Sequence, residues 1–205
     1  AAPIGFNGIT DNNKFLLNHG DGTFERLDTS IICQSPAPYT IASWSDFDDD
    51  GDIDLFIGSG PVNGSLEPDY LYRNELKESG IAYFKQDIPL PLNEPRDGQQ
   101  WNWIDFDNDG DLDGYVTNYV GTNTANGYPN DFYRNDNGTF VKLTASDVGT
   151  IVSDVNTSLA NVWEDFDNDA DLDCLIINDA TEDNEYYQNN WDAGSTVFTK
   201  ISGLP

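Results

Sequence analysis

The chain has no methionine, a single histidine, two cysteines and only nine lysines and arginines among its 205 residues. Each scarcity closes off a class of function. The one histidine, His19 in an Asn-His-Gly-Asp turn, leaves little basis for a Ser-His-Asp constellation or an imidazole-based metal site. Cys33 and Cys174 stand far apart and without a CxxC spacing, which argues against zinc or thioredoxin chemistry. Nine basic residues against 37 acidic ones give a formal charge of −28. That balance argues against nucleic acid as a partner, because phosphate binding needs a basic footprint. Anionic membrane surfaces are disfavoured for the same reason. No apolar run approaches the roughly 18 residues of a membrane span, so no membrane insertion is expected. The chain opens Ala1-Ala2-Pro3 without a charged or apolar leader, which suggests a mature exported protein, secreted or at the cell surface.

What is present describes a folded domain. Hydrophobic residues make up 38% and aromatics 13%, too much of both for a disordered acidic tail, and the length suits one domain spanning 1–205. The acid is clustered. Asp46–Asp54, Asp105–Asp113 and Asp165–Asp173 hold 16 of the 37 acidic residues, and these windows begin 59 and 60 residues apart. Charge spread evenly would point to solubility; charge gathered at a fixed spacing points to a cation.

The regularity extends beyond the aspartates, as an internal repeat requires. Trp44, Trp103 and Trp163 each stand two residues before a window, and Phe47, Phe106 and Phe166 are its second residue. After each window comes a strand-like run (LFIGSG, GYVTNY, CLIIND), then an aromatic segment ending in Asn74, Asn135 or Asn189, then a segment centred on Phe84, Phe140 or Phe198. Each unit therefore reads as four short strands with the acidic window as its first turn. The N-terminal KFLLN and GDGTFERL match only the last two strands of a unit, and IGFNGIT a second strand; the acidic window is missing there. The expectation is an all-β fold, a small β-propeller of about four blades: three complete four-stranded blades and one incomplete N-terminal blade. Its boundaries fall at 1–36, 37–95, 96–155 and 156–205. Ring closure would bring the partial blade against the last full one, and unpaired strands at either end are a template for head-to-tail association.

The windows read DFDDDGDID, DFDNDGDLD and DFDNDADLD. Carboxylates at positions 1, 3, 5 and 9 with the position-7 carbonyl offer an oxygen-only shell, which suits Ca²⁺ better than Mg²⁺ or a transition metal. An EF-hand would need a bidentate Glu at position 12, where this chain has Ile57, Val116 and Ile176. Four carboxylates about 5 Å apart repel by about 0.8 kcal/mol per pair even in water, a cost that a bound cation removes. Gly51 and Gly110 at position 6 suit a positive-φ turn; Ala170 replaces glycine in the third window.

These units resemble FG-GAP/VCBS-type repeats, the calcium-binding blades of integrin alpha-subunit propellers and of many secreted bacterial proteins. The pattern DxDxDGxxD, a strand, LYRN, and a turn into a Phe strand covers roughly residues 10–203. The resemblance implies about three calcium ions. Asp46, Asp48, Asp50 and Asp54 would supply side chains and Asp52 its carbonyl. The same roles would fall to Asp105, Asp107, Asp109 and Asp113 with Asp111, and to Asp165, Asp167, Asp169 and Asp173 with Asp171. Family propellers commonly have about seven blades, and this chain supplies three and a fraction, so the alternatives to a structural and interaction module are a carbohydrate-binding, lectin-like adhesion module or a fragment of a larger propeller.

Little remains for catalysis. Glu67, Glu75, Glu78 and Glu182 sit in polar stretches without a pairing signal, and no phosphate-cradling glycine loop is present, so no enzyme is expected. The expected partners are a second copy of the chain, or another extracellular protein or glycan, with Tyr39, Trp101, Tyr119 and Tyr128 as candidates for stacking on sugar. In an oxidising compartment Cys33 and Cys174 are candidates for a disulfide; alternatively Cys174, in the slot of Leu55 and Gly114, is a small core residue. Asn63, Asn137 and Asn156 head sequons, meaningful only in a eukaryotic secretory pathway.

Overall fold

The computed structural model describes residues 13–34, 39–59, 68–81, 83–86, 96–119, 128–179, 182–191 and 197–202. The strand expected within residues 4–10 lies outside them, as do most of the long connections between second and third strands. Each full unit is an antiparallel meander of four consecutive strands. Sheet 1 comprises β3 (Tyr39–Ser45), β4 (Asp54–Ser59), β5 (Tyr70–Asn74) and β6 (Phe84–Gln86). Sheet 2 comprises β7 (Gly98–Ile104), β8 (Asp113–Asn118), β9 (Asp131–Asp136) and β10 (Thr139–Lys142). Sheet 3 comprises β11 (Ser158–Glu164), β12 (Asp173–Asn178), β13 (Glu185–Asn189) and β14 (Phe198–Ile201). Ahead of them β1 (Leu16–Asn18) and β2 (Phe24–Arg26) form a two-stranded hairpin. The only α-helices among the described residues are single turns: α1 (Ile31–Gln34), α2 (Leu76–Ser79) and α3 (Ala145–Val148). None is long and apolar enough to cross a membrane.

Register repeats with the sequence. Trp44 faces Leu55, Trp103 faces Gly114 and Trp163 faces Cys174; these partners then face Tyr72, Tyr133 and Tyr187. Asn74, Asn135 and Asn189 face Phe84, Phe140 and Phe198, and in the hairpin Asn18 faces Phe24. Each first strand carries an irregularity at its start, between Tyr39 and Ile41, Gly98 and Gln100, and Ser158 and Ala160. The hairpin thus occupies the third and fourth strand positions of a unit, as its sequence suggests.

Because side chains alternate across a strand, each sheet has an upstream and a downstream face, and the core consists of the junctions between sheets. Phe47, Phe56 and Leu71 on the downstream face of sheet 1 pack on Trp101, Val116, Tyr133 and Phe140 of sheet 2. Phe106, Tyr115 and Phe132 of sheet 2 pack on Cys174, Ile176, Tyr187 and Phe198 of sheet 3, with Val148 and Ile151 from the connection. Phe15, next to β1, meets Phe84 edge-on at 5.4 Å and Trp44 at 6.2 Å. That repeats the contacts of Phe132 with Phe198 and Trp163 two junctions later. Burying each large apolar side chain is worth about 1.5–3 kcal/mol, so these junctions, rather than the short strands, hold the sheets together.

The structure is all-β with four antiparallel sheets, and among the described residues no closed ring is shown. The described contacts of the hairpin go to the first full sheet, through Phe15, and each unit packs on its neighbour in sequence through the repeated aromatic pairs. The candidate disulfide is not formed. Cys33 and Cys174 are both unpaired and buried, Cys33 in α1 and Cys174 in the junction between sheets 2 and 3. Cys174 fills the core slot that Leu55 fills in sheet 1. Gly114 fills it in sheet 2, because a Cβ there would overlap the Trp101 indole.

Candidate metal centres

Each acidic window is the turn between the first and second strands of its sheet, and backbone geometry folds it into a knot of aspartates. Position 4 has positive φ in all three windows: Asp49 at 54°, Asn108 at 57° and Asn168 at 65°. Asp and Asn tolerate this region best among side-chain-bearing residues. Position 6 is also left-handed, at 89° for Gly51, 98° for Gly110 and 76° for Ala170. Ala170 therefore holds a conformation that glycine takes without strain.

The first aspartate closes the turn. Asp46 accepts the Gly51 N–H at 3.0 Å; Asp105 accepts those of Asp109 and Gly110, and Asp165 those of Asp169 and Ala170, all at 3.1 Å. The fifth-position aspartates, Asp50, Asp109 and Asp169, each accept the N–H two residues on. The ninth is the anchor: Asp54, Asp113 and Asp173 are fully buried. Each accepts the N–H of the asparagine at or next to the end of the third strand (Asn74, Asn135 or Asn189), at 2.8 Å, and the N–H of the window phenylalanine, at 3.1–3.3 Å. Position-7 side chains point elsewhere: Asp52 accepts the Lys77 N–H, Asp111 the Asn137 N–H, and Asp171 the Asn108 amide. That arrangement leaves the position-7 carbonyl as the contribution of Asp111 and Asp171, whereas the Asp52 carboxylate also lies near those of Asp50 and Glu78.

Carboxylate oxygens converge within 4.8 Å of one another in every window: Asp46, Asp48 and Asp50; Asp105, Asp107 and Asp113; Asp165, Asp167 and Asp173. Asp50, Asp52 and Glu78 form a further group beside the first. Buried oxygens on Asp46, Asp48, Asp52 and Asp107 have no hydrogen-bond partner. Burial pushes the carboxyl of Asp54 up to about 7 and that of Asp113 up to about 8. Burial, then the charges of Asp109 and Asp105, push Asp107 up to about 6. Asp48 is also raised, chiefly by burial. Orphaned, buried acceptors with no cation among them are costly, and a hard cation satisfies them. The donor set is all oxygen, so the residues present fit a calcium-sized ion.

Some participants carried no sequence signal of their own. Arg73, on β5, pairs with Asp48, donates to the Gly138 carbonyl of sheet 2 at 2.6 Å, and lies 4.9 Å from the Phe47 ring centroid. Gln188 holds Asp167 from the matching position of sheet 3. The asparagines at the strand ends link neighbouring sheets: Asn135 donates to the Phe47 carbonyl at 2.6 Å and Asn189 to the Phe106 carbonyl at 3.0 Å. Their recurrence at the same register was visible; their reach into the preceding window was not.

Of the aromatics that are candidates for stacking on sugar, the structure buries one. Trp101 is buried and stacked at 3.9 Å on Phe56. Tyr119 bonds Asp179, and Tyr128 lies under the Arg96 guanidinium. The Tyr39 side chain lies outside the described residues. No protein-family model matches the chain, and no curated protein matches it. The likeness to FG-GAP/VCBS repeats therefore rests on the chain's own pattern.

Proposed function

We propose that the chain is a calcium-stabilised module of the β-propeller type, built from FG-GAP/VCBS-like blades, that works outside the cell as a structural and interaction unit. It is not an enzyme on this reading, and it self-associates head to tail into extracellular fibres. About three Ca²⁺ ions would be held by Asp46, Asp48, Asp50 and Asp54, by Asp105, Asp107, Asp109 and Asp113, and by Asp165, Asp167, Asp169 and Asp173. Asp52, Asp111 and Asp171 would add carbonyls. The observation that carries the reading is the recurrence, at one register in three sheets, of converging and partly buried carboxylates in the turn that joins the first two strands. A cation there neutralises repulsion where those strands and the next sheet meet, so it acts on fold stability.

The reading is tested by thermal unfolding in excess chelator, in Ca²⁺ and in Mg²⁺. With about 1 mM Ca²⁺ and a dissociation constant of about 0.1 mM, each site adds about 1.4 kcal/mol and three add about 4. A clear fall in Tm on chelation, restored by Ca²⁺ and poorly by Mg²⁺, is the expected result. An unchanged melting curve refutes the calcium reading.

A further inference from the structure

The junctions between sheets follow one rule, and two described faces that fit the rule are exposed in this chain. At each full junction the window phenylalanine of one sheet is buried against the fourth-strand phenylalanine of the next: Phe47 on Phe140 at 5.3 Å, Phe106 on Phe198 at 6.3 Å. Both window residues are 2% exposed. Phe166 holds the same position in sheet 3 and is 46% exposed; its ring contact among the described residues is with Tyr186 of its own sheet. Val162, aligned with the Asn102 whose amide crosses to Asn161 of the next sheet, is 47% exposed. The downstream face of sheet 3 is thus an apolar face of the kind buried twice elsewhere.

The opposite end carries the matching half. Phe24 aligns with Phe84, Phe140 and Phe198 through its pairing with Asn18, yet it is 61% exposed where those three are at most 7%. Leu16, in the place of Tyr72, Tyr133 and Tyr187, is also exposed. Asn18 bonds the Gly20 N–H through its side-chain oxygen, as Asn135 bonds that of Gly138. Within one chain the two faces do not cover each other, since both phenylalanines remain exposed.

We infer that the downstream face of sheet 3, centred on Phe166 and Val162, is the docking surface for the β1–β2 hairpin of a second copy, whose Phe24, Leu16 and Asn18 repeat the internal junction. Phe24 meets Phe166 as Phe140 meets Phe47, and Asn18 donates to the Phe166 carbonyl. The contact joins two different patches, so it is heterologous and propagates unless the rotation closes a ring. The exposed patch is accounted for by the kind of aromatic pairing the molecule already uses. This inference rests on the self-association reading above and names its surface.

The test measures mass by light scattering and sedimentation in calcium buffer for the wild type, Phe166→Asp, Phe24→Asp, Phe166→Leu and an equimolar mixture of the two Asp variants. Circular dichroism melts verify that each variant folds. Oligomers are expected for the wild type and for Phe166→Leu, and monomers for each Asp variant alone. The mixture is expected to reach twice the monomer mass and no more, since only one intact face of each kind remains. A wild type that stays monomeric at high concentration refutes the self-association reading and this inference with it. A wild type that associates while both Asp variants associate equally leaves that reading standing and refutes this surface. Monomeric Asp variants whose mixture forms no dimer refute the pairing of these two faces.

Discussion

Asp107→Asn separates the cost of the acidic cluster from its use. Asp107 offers an orphaned, buried oxygen, and its charge is opposed by those of Asp109 and Asp105. At about 5 Å each like-charged pair costs about 0.8 kcal/mol in water, so removing one charge relieves about 1.5 kcal/mol when no cation is present. The amide is a much poorer partner for a hard cation, so the same change forfeits the calcium contribution of that window. At a hundredfold excess over the dissociation constant, about 10 mM Ca²⁺ here, that contribution is about 2.7 kcal/mol. The variant should therefore be more stable than wild type by about 1.5 kcal/mol in chelator and less stable by about 1 in saturating calcium. For a chain of this length 1 kcal/mol moves Tm by roughly 2–4 °C, so melts in the two buffers resolve both differences. A shift of the same sign in both buffers refutes the reasoning: stabilisation in both means that no cation uses Asp107, and destabilisation in both means that its charge was never a burden.

Gly114→Ala places a Cβ inside the Trp101 indole; overpacking of this kind costs about 1–3 kcal/mol, read as a lower denaturant midpoint, and an unchanged midpoint refutes the packing. Ala170→Gly removes the strain of φ 76° and should raise stability by up to about 1 kcal/mol, with calcium affinity of the third window equal or tighter; weaker binding contradicts the turn geometry. Asp97, buried with one oxygen unpartnered, has its carboxyl pushed by burial up to about 7 from 3.8. A raised carboxyl pKa makes the ionised form the costly one, so its penalty is absent below about pH 3.8 and complete above about pH 7. Asp97→Asn keeps an acceptor for Gln99 and should stabilise by a few kcal/mol at pH 8 and little near pH 4; a gain independent of pH contradicts the burial argument.

The repeat made much of the fold legible. The spacing of Trp, Asp-rich window, Asn and Phe sets four strands per unit, and the register pairs Trp103 with Gly114 and Asn135 with Phe140 as that spacing requires. The partial N-terminal unit was equally readable, down to Asn18 opposite Phe24. What lay outside the pattern was the relation between units. A one-dimensional repeat says which residues are equivalent, not which of two neighbours each one faces. The repeat therefore does not say whether the first unit, besides packing on its sequence neighbour, also meets the last. Trp101 shows a different limit: it has no counterpart in the other units, where Ala42 and Asn161 stand, and an unmatched aromatic near a loop reads as a surface residue until Gly114 is seen to make room for it. In the windows the ligand-bearing positions followed from carboxylate spacing. The left-handed fourth position had only the choice of Asp or Asn as its signal, and Arg73 could be placed only with three-dimensional register.

The measurement that bears most directly on the account is the stoichiometry of calcium on the native chain, by equilibrium dialysis with elemental analysis, in parallel with Asp54→Ala, Asp113→Ala and Asp173→Ala. The account predicts about three ions per chain, little competition from Mg²⁺ at equal concentration, and the loss of about one ion with each variant. Native chain that folds and binds no calcium, or variants that leave the stoichiometry unchanged, would contradict it.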